Sequence, residues 1–222
     1  MPSLADVVAS CVAGTRVLGT DEATEALIDA VSDPDDWELD ELRATLAPLA
    51  AHATPRSETG TVAFEEGTVV IGDLVVDGNL ECNAHTLVVG NLRCSGYLYT
   101  GIHCCLIVTG DVDAAAIDAL RSYWSIGGSI RAESAWFSTY GFLEQGGELR
   151  ARLVVAEQYF ELKRAERVSA GTRIDTNHLP DDPDASRRLA EVIDVEAMLD
   201  DKQQFDRWEL LRRIARGAPV FR

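Results

Sequence analysis

The chain has 222 residues, is 46% hydrophobic and carries a formal charge of −17, with 37 acids against 20 Lys and Arg. That is enough apolar material for one sizeable core with appended elements, while the acidic balance repels nucleic acid and anionic membrane and steers a basic partner inward. No run of 18 apolar residues occurs and the first residues lack the order of a secretory signal, so a cytoplasmic protein without membrane contact is expected.

The first 55 residues read as a helical cap. Ser3 is placed to cap a helix carrying Leu4, Val7, Val8 and Cys11 on one face. Thr20 is placed to cap a second, carrying Ala23, Leu27 and Val31, with Glu22 and Glu25 near its positive end. A third helix is predicted from about Asp35 to Ala51, with Trp37, Leu39, Leu42, Leu46 and Leu49 as its apolar set. His52 to Gly60, which contains Pro55, reads as a linker.

Beyond the linker the periodicity becomes alternating and a repeat emerges. A triplet of Gly, polar, aliphatic recurs as Gly72-Asp73-Leu74, Gly90-Asn91-Leu92, Gly110-Asp111-Val112, Gly128-Ser129-Ile130 and Gly147-Glu148-Leu149, at spacings of 18, 20, 18 and 19. Two residues after each Gly stand Leu74, Leu92, Val112, Ile130 and Leu149; four after stand Val76, Cys94, Ala114, Ala132 and Ala151, apolar and small. The columns between are polar or mixed, which is the inward-outward alternation of a strand. A unit this short cannot bury its own apolar face, so units must stack. From about Val69 to Phe160 the chain is expected to form a right-handed parallel β-helix of five 18-20-residue coils, inside a mainly β domain of residues 61–170, with each Gly turning a corner at positive φ. Leucine-rich repeats share the period but need an Asn ladder and a convex helix, and a β-sandwich would not hold one triplet in register five times.

Thr172 to Pro183 reads as a loop. Asp184 to Asp200 follows as a helix with Leu189, Val192, Ile193 and Leu199, and Gln203 to Arg216 as another with Phe205, Trp208, Leu211 and Ile214 before Gly217. Residues 183–222 are thus a C-terminal helical segment. Open ends of a β-helix expose strand edges, so α-helices at both termini are expected to cap the stack and keep the chain a monomer or small oligomer.

The repeats VVIGDLVVDGNLE, LVVGNLRCSGYLY and LIVTGDVDA resemble the bacterial bactofilin, or polymer-forming cytoskeletal, type of β-helix. The likeness covers about 90 residues and implies a scaffold that assembles end to end. The long helical flanks depart from that pattern. With the ending LLRRIARGAPVF, they look more like helix-capped proteins of bacterial toxin and immunity loci, a resemblance that implies an inhibitor of a toxin domain.

Five cysteines, at 11, 82, 94, 104 and 105, show no C-x-x-C pair and read as reduced core thiols. Histidines 52, 85, 103 and 178 share no metal-ligand spacing, and no phosphate loop or nucleophile elbow occurs, so no metal, cofactor or enzymatic activity is expected. His103 and Cys104, as neighbours on a strand, point to opposite faces. Asp111 and Asp113 could suit a polysaccharide-cleaving β-helix, but Asp113 flanked by Arg93 and Arg131 in the neighbouring copies reads more simply as an ion ladder.

The aromatic residues concentrate between Tyr97 and Phe160, in the variable half of the coil, where small inward residues leave little room for them inside. Tyr97, Tyr99, Tyr123, Trp124, Trp136, Phe137 and Tyr140, with Asp111 and Asp113, are therefore the candidate partner-binding residues, and the partner is expected to be a basic protein. Residues 1–60 carry 12 acids and 3 bases, whereas residues 161–222 carry 13 and 12. A competing reading has the aromatics packing beneath the C-terminal helices; the binding face then moves to the acidic N-terminal helices between Asp21 and Glu41.

Overall fold

Three helices open the chain in a computed structural model that describes residues 3–33, 37–177, 179–199 and 205–222: α1 (Leu4–Val12), α2 (Asp21–Val31) and α3 (Leu39–Leu46). Ser3 Oγ accepts a hydrogen bond from the Asp6 backbone N–H at 3.2 Å while the Asp6 carboxylate accepts from Ser3 N–H, a reciprocal cap. Thr20 caps α2 through the Ala23 N–H. The third helix starts at Leu39; Asp35 and Asp36, where it was expected to begin, lie outside the described residues. Its last turn tightens to a 3-10 helix over Ala47–His52, where Pro48 lacks the N–H that would continue the α-helical ladder.

The strands follow in chain order as β1 (Arg56–Phe64), β2 (Thr68–Ile71), β3 (Leu74–Cys82), β4 (Thr86–Val89), β5 (Leu92–Thr100), β6 (Cys105–Val108), β7 (Val112–Leu120), β8 (Tyr123–Ile126), β9 (Ile130–Arg131), β10 (Ser134–Ser138), β11 (Gly141–Gln145), β12 (Leu149–Glu157), β13 (Phe160–Leu162) and β14 (Val168–Thr176). They form a parallel β-solenoid of about six turns. A long-strand sheet runs β1-β3-β5-β7-β10-β12-β14 with β9 beside β7 and β12, and a short-strand sheet runs β2-β4-β6-β8-β11-β13. The stack is longer than the repeat triplets at both ends. Arg56 to Gly60 of the expected linker pair in register with Leu74 to Gly78, and Thr172 to Thr176 of the expected loop pair with β12. The terminal coils escape the apolar pattern because Arg56 and Glu58 stand where the next coil has Leu74 and Val76.

The repeat triplet has a close-packing explanation. Of its five glycines only Gly72 has positive φ, at 123°, which corrects the expectation of a left-handed corner in every coil. A Cβ on Gly90 would lie 2.5 Å from the Gly72 carbonyl, and one on Gly110 2.7 Å from the Gly90 oxygen, so the glycines let successive coils touch. The polar residue after each Gly ties each coil to the next: Asp73 accepts from the Asn91 N–H at 2.8 Å, Asn91 from Asp111 at 2.9 Å, Asp111 from Ser129 at 2.8 Å and Ser129 from Glu148 at 3.2 Å. The apolar column Leu74, Leu92, Val112, Ile130 and Leu149 is completely buried.

The terminal helices cover the sides of the solenoid rather than its ends. α1 to α3 bury Leu4, Val7, Leu27, Leu42 and Leu46 against the outer face of the short-strand sheet, at Leu87, Val89 and Ile107. The C-terminal segment consists of α4 (Pro183–Val192), a 3-10 turn at Val195–Met198 and α5 (Arg207–Ala215), shorter than expected; Asp200 and Gln203 lie outside the described residues. It packs Leu189, Ile193, Leu210, Leu211 and Ile214 on the outer face of the long-strand sheet.

Candidate partner-binding surface

The solenoid presents three lateral surfaces, and each carries some of the candidate residues. On the long-strand sheet, the half nearest the C-terminal helices combines acids and aromatics as the sequence suggested, yet the chain itself fills it. Tyr97 and Tyr99 meet Trp208, with ring centroids 6.0 and 4.8 Å apart, and Trp136 stacks on Phe205 at 5.5 Å. The Tyr97 hydroxyl donates to Glu81 at 2.5 Å, and Arg207 of α5 lies 3.0 Å from Asp118. The aromatic-accepting partner of this face is the C-terminal segment, whose Arg207 supplies the positive charge that meets Asp118.

Trp124 and Phe137 correct the aromatic expectation more sharply, since both are inside the coil at 0% exposure. Trp124 Nε1 donates to Thr100 Oγ1 at 3.0 Å and Ser122 Oγ at 3.2 Å, and its ring meets Phe137 edge-on at 6.2 Å. The small residues that were expected to leave no room do the opposite. Ala114, Ala119, Ala135 and Ala156 contribute little volume to the same core cluster, which leaves room for the two large aromatics.

The second surface is an open trough of ≈ 1180 Å³ along the first halves of the long strands, with Cys94, Ala114, Ala132 and Ala151 among its lining. Asp113 lies between Arg131 at 3.0 Å and Arg93 at 3.7 Å, the expected ladder. Asp111 is held both by the Ser129 N–H and by Arg131 at 3.5 Å. Arg150 pairs with Glu148 at 2.7 Å and Arg152 with Glu133 at 3.7 Å. Asp111 and Asp113 thus serve contacts between coils.

The third surface is the outer face of the short-strand sheet. The helical layer covers β2, β4 and β6 and contributes no apolar contact to β8, β11 or β13 among the described residues. On those rungs the half-buried Tyr123 meets the buried Phe142 at 5.5 Å, and Lys163 places its ammonium 3.7 Å over the Phe142 ring while pairing with Glu144. At the adjoining corner Tyr140 and Tyr159, 58% and 73% exposed, stack at 5.5 Å and 14°. Thr139, Gln158 and Tyr159 have positive φ there, a conformation that costs a non-glycine residue energy. Of the nine candidates only Tyr123 and Tyr140 reach this patch; Phe142 and Tyr159 were missed. Their signal was spacing, because each follows its partner by one coil of 19 residues. On the same side, Asp21, Glu22, Glu25, Asp29, Asp40 and Glu41 of the helical layer are exposed, with Arg16 at 3.6 Å from Glu22 and Arg43 at 3.8 Å from Asp40.

All five cysteines are free and buried. Burial pushes the thiols of Cys82 and Cys105 up to about 12 and that of Cys94 to about 11, and it raises Cys104 as well, away from nucleophilic thiolates. His103 lies in an exposed turn at positive φ, 61°, just before β6, and Cys104 is buried outside any strand, which corrects the expectation of neighbours on a strand; His178 lies outside the described residues. Among the described residues no cluster of His, Cys, Asp and Glu is spaced for a metal ion, and no helix is long and apolar enough to cross a membrane. No protein-family model, curated protein or solved structure matches the chain.

Proposed function

We propose that this protein is a non-catalytic binding protein of the inhibitor or immunity kind, which neutralises a basic protein such as a toxin domain through the outer side of its short-strand sheet. The observation that carries the reading is the exposed Tyr140–Tyr159 stack, kept at a strained corner next to the strands that bear the half-buried Tyr123 and the buried Phe142. Rigid, exposed tyrosines bury large area with little loss of rotamer freedom, and fixed acids around them raise the encounter rate of a cation-rich partner.

Co-purification from the native host at low salt identifies the partner, and surface kinetics then test the site. Combined Tyr140→Ala and Tyr159→Ala should speed dissociation at least tenfold while the melting temperature stays within about 2 °C, since both rings are more than half exposed. Glu22→Lys with Glu25→Lys should instead slow association and flatten its salt dependence. An acidic partner, or unchanged dissociation in the tyrosine variant, refutes the proposal.

A second reading, a self-assembling scaffold, is favoured by one feature: the outer edge of β1 pairs with no strand among the described residues. Against it stand charges in the inward columns of both terminal coils, Arg56 with Glu58 at 2.8 Å and Arg173 with Asp175 at 3.0 Å, in line with Leu74, Val76, Val154 and Ala156 of the next coils. Inward charges at a sheet end oppose further stacking. Sedimentation of the full chain should therefore give a monomer or small oligomer, and filaments in negative-stain micrographs would promote the scaffold.

A further inference from the structure

One cluster lies outside the proposed binding surface and joins the C-terminal helices to the solenoid. Asp118 on β7 has no exposed side-chain surface. Arg207, the first residue of α5, holds Nε 3.0 Å from Asp118 Oδ2, donates through Nη1 to Ser138 Oγ at 2.7 Å, and lies 4.0 Å from Glu157 Oε2. Glu157 is otherwise well supplied: Trp136 Nε1 donates to it at 2.8 Å and the Leu179 backbone N–H at 2.9 Å. Asp118 is not, since neither of its oxygens receives an aligned hydrogen bond. Two carboxylates thus share one partly exposed guanidinium, Asp118 itself being fully enclosed, with the Tyr99 phenol close enough to feel the Asp118 charge.

A buried ion pair offsets its desolvation only when charge is balanced and hydrogen bonds are complete, and here neither holds. We propose that the Asp118–Glu157–Arg207 cluster is a proton-operated latch on the C-terminal helices, closed more tightly when Asp118 takes up a proton and loosened when it gives that proton up. Burial raises the Asp118 carboxyl to about 6; Arg207 opposes the rise and Glu157 adds to it. When the helices lift away, water reaches Asp118 and its affinity for the proton falls back to the ordinary carboxylate range. The docked form therefore binds the proton more tightly. Docking gains stability as pH falls from 7 toward 4 and loses it as pH rises through about 6.

Hydrogen exchange of the full chain reads the latch directly at the Leu210 to Ile214 amides, after correction for the intrinsic pH dependence of exchange. Opening should be about tenfold rarer at pH 5 than at pH 7, the ratio that linkage gives for this shift. Asp118→Asn, which carries a permanently neutral group of the same shape, should hold the low-opening state at both pH values. Equal protection of wild type at pH 5 and 7, or an unchanged pH profile in the variant, overturns the proposal. Should the variant fail to fold, the carbon chemical shift of the Asp118 carboxyl in wild type decides: a midpoint near 6 supports the latch and one near 4 removes it.

Discussion

Replacing Trp124 with alanine should cost about 3–5 kcal/mol, the range for deleting a large aromatic from a packed core. It should lower the melting temperature by roughly 10 °C for a chain of this size. The indole is completely enclosed, meets Phe137 edge-on, and donates to the Thr100 and Ser122 hydroxyls. Trp124→Phe should cost only about 1–2 kcal/mol, because the two hydroxyls already bond to each other at 2.8 Å and remain satisfied without the indole. Equilibrium denaturation of both variants checks the pair. A Trp124→Ala protein with unaltered stability but lost partner binding would return this residue to the surface.

Arg207→Ala should destabilise the docking of the C-terminal helices by about 3 kcal/mol at pH 7.5, because it leaves Asp118 and Glu157 buried together without a counter-charge. The partly exposed guanidinium, at 21%, places the effect at the low end of the range for breaking a buried pair. Loss of the arginine raises the affinity of Asp118 for a proton further, so the variant takes up its proton above pH 6 and the defect should shrink as pH falls from 7.5 to about 6 and then level off. Adding Asp118→Asn should recover much of the loss, since the neutral amide needs no counter-charge. A defect equally large at pH 5 and 7.5, and unrelieved in the double variant, would mean that Arg207 acts by packing on Trp136 alone, over whose ring it lies at 5.8 Å.

How much of this was legible depends on which side of a strand is considered. The inward columns were readable because stacking repeats each position every 18 to 20 residues, and all five members of the leading column are fully buried. The Asp113 ladder was readable for the same reason. The outward side was harder, although one signal lay in the short strands. β4 and β6, Thr-Leu-Val-Val and Cys-Leu-Ile-Val, are apolar but for Thr86 and buried on both faces, whereas β8 alternates. Continuous apolar runs mark the rungs that helices cover, and their end at β8 marks where the helical layer stops.

The aromatic run was misjudged on volume. Small residues at Cys94, Ala114, Ala132 and Ala151 suggested a narrow interior, but a coil interior is filled from several columns, and Trp124 and Phe137 supply from two other columns, one on each sheet, what these small residues omit. No single column carries that information.

By itself the sequence determined the stack: its repeat, its register, the strands' inward face, the helix caps at Ser3 and Thr20, and the reduced thiols. These are local or nearest-neighbour properties, each recorded in residues a few positions or one coil apart. Only the tertiary structure decided where the helices dock, and hence which aromatics remain outside. Period two separates the two faces of a strand without saying what lies against the outer one. An amphipathic helix likewise records that one face is buried and not by whom. The charge asymmetry between the chain's two ends, read as an invitation to a basic partner, is met on the long-strand sheet by Arg207 of the chain itself, leaving Tyr140 and Tyr159 on the other side as the exposed pair.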